Sequence, residues 1–430
     1  MSKAGEFMSA AIQPVHDSGN SAFESTHRLC SIVRQPILDS RGRVHGYELH
    51  FRGESVRDRV DAYMNLFETA ANFGLEKPSE LKKLTGKLTA FVRCPVEALS
   101  ERLAQVLPAS LTVLEIVPSL EVSPELLTSC RQMKALGFRF ALDDFRAEPH
   151  TRSLVELADY VKVDFAGTTP EERRELLNEW HNKSIVLLAK GVNTQADFRD
   201  ARAEGFTLFE GYYFCEPMAI RNRRPPVNQM LRLDILKALQ KRPMDMHTIS
   251  QLVRRDGPLT YQVLRLVNSP VWGMRQNVES IAVALVAVGE NSFRRIATLA
   301  IASEFNGDQP AELLYMAIMR GRICEVTASH RGLDPFGQYL LGLLSLLPAM
   351  QGQPMSEVAP RLPLADEILE ALLGKNNPER TMLSWLESFE RGDWSVCDSV
   401  AQAGGLDQRE LARIYVEAVA WTETALHTGA

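Results

Sequence analysis

The sequence predicts an α/β domain followed by an all-α one: a closed (β/α)8 barrel of the TIM type, then a helical bundle. Three observations carry this. From about Arg28 to Pro217, short β-rich runs alternate with helical stretches. At residues 219–229 a basic, proline-bearing segment, "AIRNRRPPVNQ", interrupts that rhythm. Beyond it no strand pattern returns, and apolar residues recur at helical spacing to about Leu426. The expected limits are 28–218 for the barrel, 219–228 for a linker and 229–427 for the helical domain. Residues 1–27, polar and aperiodic, read as a disordered tail or a vector-derived scar.

Eight runs stand as strands: "LCSIVRQPILD", "VHGYELHF", "LTAFVRC", "LTVLEIV", "FRFALDDF", "YVKVDF", "SIVLLAK" and "LFEGYYF". Between them lie helical patterns at Val60–Phe73, Pro95–Val106, Pro124–Leu136, Pro170–Trp180 and Thr194–Ala203, several opened by Pro or Thr. Strands interleaved with helices predict a parallel sheet, and the count predicts closure. In such barrels the chemistry sits at the C-terminal strand ends. Glu48, Arg93, Glu115, Asp143, Asp144, Lys162, Asp164 and Lys190 end these runs and are expected on one rim.

In the second half, Val227, Met230, Leu231, Ile235, Ala238 and Leu239 mark one helical face. "NSPVWG" reads as a tight turn with Trp272 in the core, and "YLLGLLSLLPAM" at 339–350 as a core helix shorter than the roughly 18 residues of a membrane span. The chain's single "HD" pair, His16 and Asp17, lies in the polar tail, and His247, His330 and His427 lack metal-ligand spacing. The helical half is therefore not expected to be a metallohydrolase.

Composition sets outer bounds. With 45% hydrophobic and 24% charged residues and a net charge of -6, the chain is globular in type and has no overall basic field to recommend nucleic acid or an anionic membrane as partner. Six scattered cysteines without a CxxC pair point to reduced thiols in a cytoplasm rather than to zinc. No secretory signal opens the chain.

Set in order, "VRQPILDSRGRVHGYELHFRG", "LEIVPS", "GFRFALDDF", "YVKVDF", "LLAKGVNT" and "GFTLFEGYYFCEP" resemble the EAL domain family, barrel enzymes that hydrolyse cyclic di-GMP. "DGPLTYQVLRLVNSPVWG" followed by "ESIAVALVAVG" resembles the HDOD domain, a relative of HD phosphohydrolases without their metal ligands. Together the halves resemble the YuxH-type EAL-HDOD signalling family. The resemblance implies a cup in which Glu48, Glu115, Asp143, Asp144 and Lys162 occupy the positions of an Mg²⁺- or Mn²⁺-dependent site, with Arg52 and Gln35 at phosphate-contacting positions. It also marks departures. Arg93 stands where the family has a metal-binding Asn, Lys190 and Asn193 where it has two carboxylates, and Glu210 where it has a glutamine.

Charge weighs these departures. Four acids, Glu48, Glu115, Asp143 and Asp144, face Lys162, Lys190 and Arg93, so the cup is expected near neutrality without metal. A lysine about 4 Å from an incoming dication repels it by about 8 kcal/mol at an effective dielectric of 20. Lys190 and Arg93 are therefore expected to replace the metals, pairing with all four acids. The expected function is a catalytically inactive EAL-HDOD regulator in cyclic di-GMP-related signalling that needs no cofactor, meets protein partners through its helical half and binds cyclic di-GMP weakly at most. The alternatives are a metal-dependent cyclic di-GMP phosphodiesterase and a sensor that binds without hydrolysis.

Overall fold

The computed structural model describes residues 32–51, 78–100, 103–117, 122–145, 151–180, 184–217, 228–269, 272 and 277–427. Eight strands close a barrel in chain order: β1 (Ile32–Asp39), β2 (Val44–Phe51), β3 (Thr89–Arg93), β4 (Thr112–Ile116), β5 (Arg139–Leu142), β6 (Tyr160–Asp164), β7 (Val186–Lys190) and β8 (Leu208–Glu210). From β2 to β8 neighbours are parallel, but β1 is antiparallel to both β2 and β8, which corrects the expectation of an all-parallel sheet. The cause is local. Only residues 40–43 separate β1 from β2, too few for a parallel crossover, which takes a dozen or more. The turn is tied by Asp39 Oδ1, which accepts from Arg41 N at 2.8 Å and Arg43 N at 3.0 Å, with Gly42 at φ +74°.

Strand alternation then builds the interior in layers. Ile37, Phe91, Val113, Ala141, Tyr160, Leu188 and Leu208 form one apolar layer inside the barrel. Two residues further along each parallel strand, on the same face, come Arg93, Glu115, Asp143, Lys162, Lys190 and Glu210. In β2 the same step leads from Gly46 to Glu48. A Cβ at Gly46 would meet Thr89 O at 2.7 Å and the Phe91 ring at 3.0 Å, so glycine leaves room for the phenyl. In the reversed β1 the polar residue precedes the apolar one, Gln35 before Ile37.

The barrel helices are α1 (Pro78–Thr85), α2 (Val96–Ser100), α3 (Pro124–Ala135), α4 (Arg152–Val155), α5 (Pro170–Trp180) and α6 (Gln195–Glu204). Ser123 caps α3 through Leu126 N, and Thr194 with Asp197 forms a capping box on α6, which ends at left-handed Gly205. The helix expected at 60–73 lies outside the described residues. The pattern at 95–106 divides into α2 and a 3-10 turn at Leu103–Val106.

The described residues of the second half form helices and no strand: α7 (Gln229–Gln240), α8 (Met246–Arg254), α9 (Gly257–Val267), α10 (Ile281–Asn306), α11 (Ala311–Ala328), α12 (Pro335–Leu344), α13 (Leu347–Gln351), α14 (Met355–Val358), α15 (Asp366–Leu372), α16 (Arg380–Glu390), α17 (Trp394–Gly404) and α18 (Gln408–His427). The leucines at 340, 341, 343, 344, 346 and 347 are buried in its core. α11 and α12 approach closely, because a Cβ at Gly342 would lie 2.4 Å from Arg320 O. Asn268 braces the turn after α9, its amide donating to Leu264 O and Val278 O and accepting from Val278 N; Trp272 is only partly buried, edge-on to Trp421. No helix among the described residues is long and apolar enough to cross a membrane.

Arg34 of β1 fastens the two halves together. Its buried guanidinium lies 4.1 Å from the ring centre of Tyr47 and 4.0 Å from that of Tyr315, donates to Leu84 O at 2.7 Å, and stands 3.6 Å from both Glu312 and Glu423. Tyr47 donates to Glu312 at 2.9 Å.

Candidate functional site

The rim residues form two adjoining clusters. In the deeper one, the ammonium of Lys162, wholly buried, donates to Glu48 and to Glu115 Oε1 at 2.8 Å, and lies 2.7 Å from Glu210 Oε2. The last contact falls outside hydrogen-bond geometry, and the same oxygen has no hydrogen-bond partner among the described residues. In the outer cluster Lys190 Nζ lies 2.9 Å from Asp143 Oδ1, 3.0 Å from its Oδ2 and 3.0 Å from Asp144 Oδ1. Arg93 donates to Asp143 and stands 4.0 Å from Asp144.

This division corrects the expected pairing. Lys190 and Arg93 hold the aspartates, whereas the glutamates belong to Lys162, because Lys162 lies in the same buried layer as Glu48 and Glu115. Glu210 adds a fifth carboxylate that the simple charge comparison omitted.

Protonation restores the balance. Burial, aided by the charge on Glu48, pushes Glu115 up to about 8 and Glu210 well above the carboxylate range. Burial also opposes ionisation of Glu48, but Lys162 outweighs it and holds Glu48 well below its ordinary value. Asp143 is likewise lowered, burial being outweighed by Lys162, Lys190 and Arg93. Burial works against the charge on Lys162, yet Glu115, Glu210 and Glu48 prevail and raise its pKa. With Glu115 and Glu210 protonated, Glu48, Asp143 and Asp144 face Lys162, Lys190 and Arg93, three formal charges against three.

Backbone geometry aims the outer cluster. Asp144 has φ +50°, the only positive value among the described non-glycine residues, and its N–H is 3.0 Å from Asp143 Oδ1. Gly191, at φ +75°, turns the chain directly after Lys190.

Other expected residues behave differently. Arg52 lies outside the described residues. Gln35 Oε1 is 2.9 Å from His50 Nε2, and His50 Nδ1 is 3.5 Å from Glu48, so Gln35 is engaged with the wall of the cup. His50 was not singled out as a site residue; its place between Gln35 and Glu48 follows from their cross-strand pairing. Asp164 does not join the site. Its side chain accepts from Ala166 N and Gly167 N and caps a turn. Asn193 Oδ1 accepts from Tyr212 N at 3.3 Å, and Tyr212 in turn donates to the carbonyl of Glu390 in the helical half.

A divalent ion fits this arrangement poorly. Carboxylate oxygens of Glu48, Glu115 and Asp143 lie within 4.8 Å of one another, a spacing that could ligate one cation. Yet ammonium and guanidinium groups already touch both Asp143 oxygens, and Lys162 touches the two glutamates. A dication among them would lie within about 4 Å of a lysine charge, the repulsion of about 8 kcal/mol given above.

The EAL domain family model matches residues 95–217 and the HDOD domain model residues 225–347. Over 409 residues the chain is 30% identical to the uncharacterized protein YuxH of Bacillus subtilis (strain 168), covering 91% of this chain and 97% of that one. The chain belongs to the YuxH-type EAL-HDOD family. Another relative of this EAL-HDOD protein, the cyclic di-GMP phosphodiesterase CdgJ of Vibrio cholerae, is 27% identical over 93% of this chain and 94% of its own. Among solved structures, a calcium/cy-diGMP complex of Klebsiella pneumoniae BlrP1 is 21% identical over 43% of this chain and 55% of that one, with a TM-score of 0.37.

Proposed function

We propose that this EAL-HDOD protein is a non-hydrolytic cytoplasmic regulator in cyclic di-GMP-related signalling, whose barrel is a metal-free scaffold and whose helical half presents the surface for protein partners. The observation that supports it is the Lys190 ammonium on both oxygens of Asp143 and on Asp144, where the EAL resemblance implies metal. Hydrolysis of a phosphodiester in such a cup requires cations to neutralise phosphate oxygens and to lower the pKa of the attacking water. Here fixed side-chain cations neutralise the acids instead. They are already saturated by carboxylates, so the reading also expects weak cyclic di-GMP binding.

A second reading, a metal-dependent cyclic di-GMP phosphodiesterase, is favoured by the clustered Glu48, Glu115 and Asp143 oxygens and by the phosphodiesterase activity for which the Vibrio relative is named. Incubation of the full chain with cyclic di-GMP and Mg²⁺ or Mn²⁺, followed by chromatography, separates the two. The proposal expects no linear product above the metal-free control; metal-dependent product supports the second reading.

A further inference from the structure

A cavity of about 360 Å³ opens in the helical half, between the C-terminal end of α7, the start of α12 and α15. Its walls include Leu340, Leu364 and Ile368, with the Phe336 ring beside them. Gln338 also lines it and is only 1% exposed, yet neither Oε1 nor Nε2 of its amide has a hydrogen-bond partner among the described residues. A buried amide unpaired at both ends is unfavourable, and native folds rarely keep one without a use. Nearby, Arg294 Nη1 is also buried and unpaired, while the guanidinium lies 5.5 Å from the Phe336 ring centre.

The free amide defines the chemistry it would recognise. A carboxamide presents an acceptor beside a donor, the complement of an edge carrying an N–H next to an acceptor nitrogen; glutamine reads the adenine N6/N7 edge in this way. The cavity falls within the size range of small-molecule sites and has apolar walls suited to a flat ring. Its charged lining, Asp334, Glu367 and Glu379 against Arg242, is net negative, and Arg242 is already 2.6 Å from Asp334. That disfavours a phosphate and favours hydroxyl donors.

We propose that this cavity binds a neutral adenine nucleoside, with the Gln338 amide rotating to pair with the base edge and the rim carboxylates accepting from the sugar hydroxyls. Isothermal titration of the full chain with adenosine and with AMP tests it, alongside thermal unfolding of the wild type and Gln338→Leu. The expected result is saturable adenosine binding, AMP weaker by about tenfold or more from like-charge repulsion at the rim, and loss of adenosine binding in Gln338→Leu. The apo variant should melt higher than the wild type, because an unpaired amide has been replaced by an apolar group of similar size. Absence of adenosine binding to the wild type overturns the proposal whatever the variant does. So does equal binding by Gln338→Leu, or a lower melting temperature of the folded variant, which would show that the amide is partnered within the protein.

Discussion

Lys190 Nζ contacts both carboxylate oxygens of Asp143, at 2.9 and 3.0 Å, from the end of a strand two places round the barrel. Replacing it by Met leaves Asp143, fully buried, with Arg93 and a less depressed pKa. Lys190→Met should lower stability by about 1–3 kcal/mol at neutral pH. The sign with pH is fixed: a lowered carboxylate pKa contributes stability above its ordinary value of 3.8 that fades as pH falls, so the deficit should shrink in acid. Denaturant unfolding of both proteins at pH 7 and pH 3.5 checks this, and a deficit that grows in acid contradicts it.

Lys162 has the opposite dependence. Without its ammonium the surrounding Glu48, Glu115 and Glu210 must stay protonated, and carboxyls with raised pKa lose folded-state stability as pH rises. Lys162→Met should lose about 3–5 kcal/mol, as expected when one partner of a buried ion pair is removed. The loss should be larger at pH 8 than at pH 5.5 by denaturant unfolding, because Glu48, held ionised by Lys162 in the wild type, must then take up a proton; equal losses would mean that Glu48 takes up no proton when the ammonium is removed.

At the junction between the halves, burial pushes Glu312 up to about 7 despite Arg34 and the Tyr47 hydrogen bond. Because the folded value exceeds the ordinary 4.5, its contribution falls as pH climbs from 4.5 through 7, by at most about 3 kcal/mol. Glu312→Gln should abolish that slope. Unfolding free energies of wild type and variant at pH 5 and pH 8 should diverge; parallel curves would place the titration elsewhere.

Tyr212 links Asn193 at the barrel mouth to the Glu390 carbonyl. Tyr212→Phe should cost about 1 kcal/mol, the worth of one hydrogen bond. Arg34→Met, which removes both ring contacts and the Leu84 hydrogen bond, should cost about 3 kcal/mol and split one calorimetric transition into two. A single sharp transition in Arg34→Met would show that apolar contacts alone hold the halves together.

The barrel was legible because alternation places each cup residue two positions beyond an apolar interior one, so Phe91 and Arg93, or Tyr160 and Lys162, share a face by strand geometry alone. The direction of β1 was not read: a strand pattern is the same in either sense, and the clue lay in the four-residue gap to β2. Asp164 was misplaced because a terminal strand residue can point to either face, and its carboxylate finds backbone N–H groups nearby. Which acid pairs with which base depends on burial depth. Glu210 could be seen as a substitution, but its sharing of Lys162 with two other glutamates needed the closed barrel. Arg34 and Glu312 meet across a domain junction that no local periodicity encodes.

The central claim is that side-chain cations occupy the electrostatic place of metals. Its most direct test is Mn²⁺ titration calorimetry of the wild type and the triple variant Arg93→Asn, Lys190→Glu, Asn193→Glu, after circular dichroism shows both folded. The account predicts no measurable binding to the wild type and clear binding to the variant. Tight Mn²⁺ binding by the wild type, or none by the folded variant, would contradict it.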